Sequence, residues 1–255
     1  MKPKSLSKER FGKFAQGYVE SITHSKLSEL NRLVEIVQPR KNWRVLDVAT
    51  GGGHTALRFS SEVAEVYSVD LTPNMLKKAE AFIKDSGALN VSFKEGDAEN
   101  LPFEDKSFDL VTCRVAPHHF PDCPRFVKEA FRVLKAGCIL IVQDHLLPSD
   151  LAAARVVDEF EKLRDPSHNR AYNDSEWTDM FESAGFSIEH TEVILKTHAF
   201  LPWAERQECS PETVEALITM LEEGSDSVID WMRPNQWRSD KATFVNHHII
   251  ITGRK

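Results

Sequence analysis

Three acids, Asp47, Asp70 and Asp97, each stand at or just beyond the end of an apolar run, and Asp47 is soon followed by Gly51-Gly52-Gly53. An apolar run ending in an acid, then glycines, then a helix-like segment, describes a strand turning sharply into a helix. Glycines there let the backbone bend and let a ligand come close to the main chain. Asp70 lies seventeen residues after Gly53, where it can accept hydrogen bonds from a ribose diol. Asp97 follows the third apolar run, where it can accept from an adenine amino group. Asp47 sits where a dinucleotide would put its pyrophosphate. Its charge would repel a diphosphate but accept hydrogen bonds from an ammonium group.

Gly51-x-Gly53-x-x-Ala56 also fits the loose dinucleotide pattern, so a nicotinamide-dependent reductase is the first rival. No Tyr-x-x-x-Lys pair supports it: Tyr18, Tyr67 and Tyr172 are followed four residues later by Ile22, Leu71 and Glu176. Three acids suit S-adenosylmethionine, which carries an ammonium, a sulfonium and a ribose diol but no phosphate.

The elements that must hold these acids alternate from residue 43 to 145. Apolar runs at 43–49, 63–69, 91–95, 108–113 and 138–143 read as buried parallel strands. Thr72 and Pro73 form a helix start, with Gly87 at its end. Cys123–Leu134 puts Phe126, Val127, Ala130, Phe131 and Leu134 on one helical face. Right-handed crossovers build an α/β, doubly wound sheet with its ligand at the carboxyl edge. Residues 7–38 read as one or two helices, and 1–42 as an N-terminal helical segment. Helices at 150–164, 174–184 and from Pro211 to Gly224, and strands at 187–200 and 243–252, complete a single domain over 1–255.

Four ordered segments carry a family resemblance: VLDVATGGGHTA, VYSVDLTPNML, GDAENLPFEDKSFDLVTCRVAPHHFPD and FRVLKAGCILIVQDH. The chain resembles the class I S-adenosylmethionine-dependent methyltransferases, and within them the type 11 branch that includes ubiquinone and menaquinone biosynthesis methyltransferases. The resemblance implies a mostly parallel, seven-stranded sheet whose last two strands form an antiparallel hairpin. Residues 201–241 then form an insertion, and with 146–173 are the candidates for a helical substrate cap over the 43–145 core. It also implies that Asp47 and the main chain of Gly51 and Gly53 bind the methionine moiety and that Asp70 binds the ribose. Leu71 and Met75 would pack near the adenine, Asp97 would meet its amino group, and Ala98 would contact the ring.

Arg114-Val115-Ala116-Pro117-His118-His119-Phe120 follows the fourth strand, where acceptors approach the methyl group in this family. His118 and His119 are the candidates for acid–base or orienting roles, since imidazole titrates near neutrality; shaping the loop is the alternative. Arg114 either lines the cofactor pocket or forms a salt bridge. Tyr18, with Phe11 and Phe14, belongs to a segment that closes over the cofactor in relatives. Phe200, Trp203, Trp231, Met232 and Trp237 either line an aromatic acceptor pocket or form the cap's own core.

Composition narrows the function. A net charge of −7 disfavours nucleic acid as partner. No run approaches the roughly 20 apolar residues of a membrane span, and no apolar core of a secretory signal opens the chain. The four cysteines lack CxxC or zinc spacing, the histidines lack metal spacing, and the expected setting is a reducing cytoplasm. The expected activity is in-line methyl transfer to a small-molecule oxygen, nitrogen or carbon. The alternative is a non-catalytic, cofactor-binding regulatory protein on the same fold.

Overall fold

The computed structural model describes residues 4–6, 8, 10 and 27–255. Seven strands form one sheet in the order β3-β2-β1-β4-β5-β7-β6. They are β1 (Arg44–Val48), β2 (Glu65–Asp70), β3 (Val91–Glu95), β4 (Phe108–Arg114), β5 (Leu134–His145), β6 (Ser187–Ala199) and β7 (Thr243–Arg254). The first five are parallel, and β7 runs antiparallel between β5 and β6. The reversal of strand order beside β1 opens a crevice at the carboxyl ends of β1 and β4, the usual ligand position in such sheets.

Helices cover both faces. On one lie α1 (Leu27–Val37), α2 (His54–Ser60) and α3 (Pro73–Asp85), whose Leu33, Val37, Phe59 and Ile83 pack on Val45, Leu110 and Ile141. On the other, α4 (Cys123–Val133) and α6 (Asp174–Ala184) bring Phe126, Val127, Trp177 and Phe181 against Val111, Leu140 and Ile251. Both faces of β1 and β4 are therefore apolar, which is why these strands read as continuous rather than alternating runs. The second strand begins and ends later than the 63–69 expected. The fifth runs longer than 138–143 because Leu134 already pairs with Phe108 of β4 and His145 still pairs with His248 of β7, while Lys135–Gly137 stay outside the core.

Local chemistry sets the helix ends. Pro73 occupies the first turn of α3, but Thr72 makes no side-chain cap; its amide donates to Asp70 instead. Asn173 and Glu176 form a reciprocal capping box on α6.

After β5 come α5 (Leu151–Arg164), then between β6 and β7 the short helices α7 (Phe200–Glu205), α8 (Pro211–Glu222) and α9 (Asp226–Met232). They share a core of their own. Phe160 stacks on Trp203 with centroids 5.2 Å apart, and Phe200, Leu217, Met232 and Phe244 close around them. Phe200, Trp203 and Met232 are buried there, and Trp231 and Trp237 pack against the same cluster. Of the two readings of these aromatic residues, the cap-core reading is the one the structure supports.

Candidate active site

A cavity opens at the carboxyl ends of β1, β2, β3 and β4. Asp47, Asp70 and Asp97 all line it, although they come from three different strand ends. Leu71, Met75, Ala98, Arg114, Gly51 and His119 line it as well.

Asp47 is held from its own turn and from the neighbouring strand. Thr50 Oγ1 donates to Oδ2 at 2.6 Å and Thr112 Oγ1 to Oδ1 at 2.7 Å. Burial pushes the carboxyl up to about 6, against the opposing pull of these hydroxyls and of Arg114. Asp70 accepts from the amides of Gly51 (3.0 Å) and Thr72 (2.9 Å), so it closes the glycine turn as well as facing the cavity. Burial also raises its pKa, and the amides moderate the rise.

Two glycines have different jobs. Gly51, at φ +53°, lines the cavity. Gly53 does not line it: at φ +86° it precedes α2, and an added Cβ would lie 2.8 Å from Ile83 Cδ1. Its role is close packing of turn on α3, and Gly52 and Thr50 line the cavity in its place. Ala49 and Val115, the residues just beyond β1 and β4, also take positive φ (+54° and +52°). For β-branched Val115 this is a strained conformation. The strain sits where the chain reverses beside the site.

Beyond the end of β3, Lys4 Nζ donates to Asp97 Oδ2 at 2.5 Å and also pairs with Glu99. Burial opposes charge on Lys4, but the two acids outweigh it and raise its pKa. Nothing local in the sequence joins Lys4 to Asp97, which lies 93 positions away.

The two candidate histidines separate. His119 lines the cavity, but His118 does not. The His118 ring turns inward, its Nδ1 lying 2.6 Å from Asp144 Oδ1, while its amide donates to Asp144 Oδ2 at 2.7 Å. Burial alone would lower its pKa, but Asp144 outweighs burial and raises it. His118 thus faces Asp144 rather than the cavity. His119 donates from Nδ1 to the Ser167 carbonyl at 3.0 Å, which makes Nε2 the acceptor nitrogen of a neutral ring. Burial, and then the neighbouring His118 ring 4.0 Å away, hold its pKa well below 6.5.

No residue of 146–173 or 201–241 lines the cavity. The first segment reaches the site from behind. Ser167 holds His119, and the amides of Asn169 and Arg170 donate to the His118 carbonyl at 2.8 and 3.0 Å. The second packs on α5 in the separate cap core, which explains its distance from the cavity. Tyr18, Phe11 and Phe14 lie outside the described residues. Among the described residues no group of three His, Cys, Asp or Glu side chains is placed to hold a metal ion, and no helix is long and apolar enough to cross a membrane.

A family model for a methyltransferase domain matches residues 39–185. The uncharacterised methyltransferase YcgJ of Bacillus subtilis (strain 168) is 36% identical over 220 residues, covering 86% of this chain and 87% of YcgJ. The ubiquinone/menaquinone biosynthesis C-methyltransferase UbiE of Proteus mirabilis is 35% identical over 136 residues, 52% of this chain and 51% of UbiE. Among solved structures, the BH2331 protein of Bacillus halodurans C-125, assigned as a methyltransferase, superposes with a TM-score of 0.86 at 38% identity. That match covers 89% of this chain and 99% of BH2331. Cavity, strand-end acids and relatives agree: this chain belongs to the class I S-adenosylmethionine-dependent methyltransferases and uses S-adenosylmethionine as its methyl donor.

Proposed function

We propose that this chain transfers a methyl group to a small-molecule oxygen, nitrogen or carbon, with His119 at the acceptor end of the cavity. The observation that carries the reading is the convergence of Asp47, Asp70 and Asp97 on one cavity wall, an acid each for ammonium, ribose diol and adenine amino group. Gly51, Leu71, Met75, Ala98 and Arg114 complete the proposed cofactor contacts. When bound, S-adenosylmethionine supplies an already activated methyl on a sulfonium. The protein then has to hold two reactants in line and exclude water, which by itself removes much of the barrier.

His119 is positioned to take a proton from an acceptor that arrives protonated. Its Nδ1 is committed to Ser167, and that hydrogen bond orients Nε2. His118, Asp144 and Ser167 act through His119 by fixing its ring and its neutral form. Similarity to quinone-pathway C-methyltransferases makes planar quinols the first acceptor class to assay. Nucleic acid is left out by the charge of −7, and four free thiols suit a cytoplasmic setting.

The test is calorimetric titration with S-adenosylmethionine and S-adenosylhomocysteine on the wild type, Asp70→Ala and Asp97→Ala. Micromolar binding, weakened at least tenfold in both variants, supports the site. Unchanged affinity in folded variants would remove these residues from it.

A further inference from the structure

One edge of the sheet ends on a strand that is long and regular. β6 is last in the sheet order, and among the described residues only β7 pairs with it. Its thirteen residues include no proline, and its one irregularity, between Ile188 and His190, lies outside the stretch from Thr191 to Thr197. The N–H and C=O groups on the outer side of such a strand are a template for another strand. Proteins that stay monomeric blunt the edge with proline, a bulge or outward charge.

The side chains of this stretch divide by face. On one face Arg32 of α1 holds Glu192 at 2.6 Å, Glu29 holds Lys196 at 2.7 Å, and Ile194 packs on the sheet core. On the other face Thr191, Val193, Leu195 and Thr197 are all exposed, Val193 at 54% and Leu195 at 48%. The layer that buries Ile249 and Ile251 of β7 does not reach their β6 neighbours Val193 and Thr191. The open face is therefore apolar at its centre and carries no charge.

The order of side-chain types is palindromic about Ile194: hydroxyl, charge, apolar, apolar, apolar, charge, hydroxyl. Two antiparallel copies related by a two-fold axis at Ile194 set Val193 opposite Leu195 of the second copy, and Thr191 opposite Thr197. On the other face Glu192 comes opposite Lys196, so no like charges meet. Like faces must stay together, which moves the axis by whole residues. At Val193 it would set Leu195 opposite Thr191 and Ile194 opposite Glu192. At Leu195 it would set Val193 opposite Thr197 and Ile194 opposite Lys196. The Ile194 register alone of the three matches every type with its complement, and a strand complementary to itself fits a second copy of the same chain.

We propose that the outer edge of β6 is the interface of a symmetric homodimer, two sheets joined antiparallel through Thr191–Thr197 with the two-fold axis at Ile194. Directly opposed residues in such a pair have Cα atoms about 4.5–5.5 Å apart, within disulfide reach.

Light scattering on the full chain at micromolar concentration should give twice the 29.0 kDa of one chain. Val193→Lys places a charge opposite Leu195 and should weaken the dimer about tenfold or more, with the melting temperature of the exposed-site variant unchanged. Register is read separately. Chains with Val193→Cys mixed with chains with Leu195→Cys should crosslink on mild oxidation well above either variant alone, with wild-type chains setting the background from the native cysteines. If Val193→Lys does not fold, the cysteine mixture decides. A wild-type monomer throughout the micromolar range, a dimer indifferent to Val193→Lys, or crosslinking no greater in the mixture than in the single variants would overturn the proposal.

Discussion

Thr112 Oγ1 donates to Asp47 Oδ1 at 2.7 Å across the β1–β4 pair, where the two residues are direct partners in register. A hydroxyl from one strand thus holds an otherwise desolvated carboxylate at the end of the next. The arrangement keeps a buried carboxyl at the cavity at a cost to the folded protein.

That cost has a pH signature. The Asp47 carboxyl sits near pH 6 in the folded chain against 3.8 as its ordinary value. The folded state therefore holds the proton more tightly, and stability from this group falls as pH rises from about 4 to about 6. Two units correspond to roughly 3 kcal/mol of destabilisation at neutral pH. Asp47→Asn should raise the melting temperature at pH 7.5 while weakening S-adenosylhomocysteine at least tenfold. In the wild type, calorimetry should show affinity falling as pH drops below about 6. A lower melting temperature in the variant, with affinity kept, would contradict both statements.

Asp70 both braces the turn and lines the cavity, where we propose that it meets the ribose. Asp70→Asn keeps the shape but removes the charge from the hydrogen bonds, each worth about 1.5–3 kcal/mol. Cofactor affinity should fall by roughly ten- to a hundredfold, with a smaller loss in melting temperature. Titration of the variant against the wild type decides it.

Gly53→Ala should destabilise without touching the cavity. The residue would have to keep φ +86° and fit a Cβ 2.8 Å from Ile83 Cδ1 and 3.2 Å from Ala79 Cβ. Left-handed strain of about 1–2 kcal/mol and overpacking of about 1–3 kcal/mol add. Chemical denaturation should show a loss of at least about 2 kcal/mol; a loss under 1 would mean that the turn relaxes freely.

Acid should unfold the protein through its buried imidazoles. Burial first, and neighbouring positive charge second, hold His119, His145 and His248 well below 6.5, so the unfolded chain takes up these protons first. Their stabilising effect is present above pH 6.5 and is lost as pH falls below it. His118 opposes this, since its raised pKa favours folding in acid and loses that effect only as pH rises through the folded value. His198 and His247, also held low by burial, add to the loss, while Asp47 and Asp70, raised by burial, oppose it together with His118. The five lowered imidazoles set the direction, a loss of stability as pH falls. Melting temperatures from pH 7.5 to 5 should fall steeply, and His145→Gln should flatten the curve.

Trp203→Ala tests the cap. Trp203 stacks on Phe160 and packs against Phe244 inside the cap core, not on the cavity. Its truncation should cost about 3–5 kcal/mol in stability and leave cofactor affinity within threefold. A selective loss of affinity would move the cap into the site.

The linear chain by itself determined the sheet core and the strand-end residues that line the cavity. Strand-end acids and glycine turns are local features: Asp47, Gly51, Asp70 and Asp97 declare themselves because one strand and its following turn set their place. The apolar runs named the strands because burial on both faces leaves them no polar alternation. Tertiary structure alone decided everything that depends on which elements meet. It turned His118 inward to Asp144 and left His119 on the cavity, a difference between two adjacent residues with the same side chain. It set Gly53 against Ile83 and Ala79 of α3, put Thr112 beneath Asp47, and placed Lys196 against Glu29 across 167 positions. Side-chain direction at a turn, and pairing between distant elements, follow from three-dimensional packing, and no spacing along the chain encodes them.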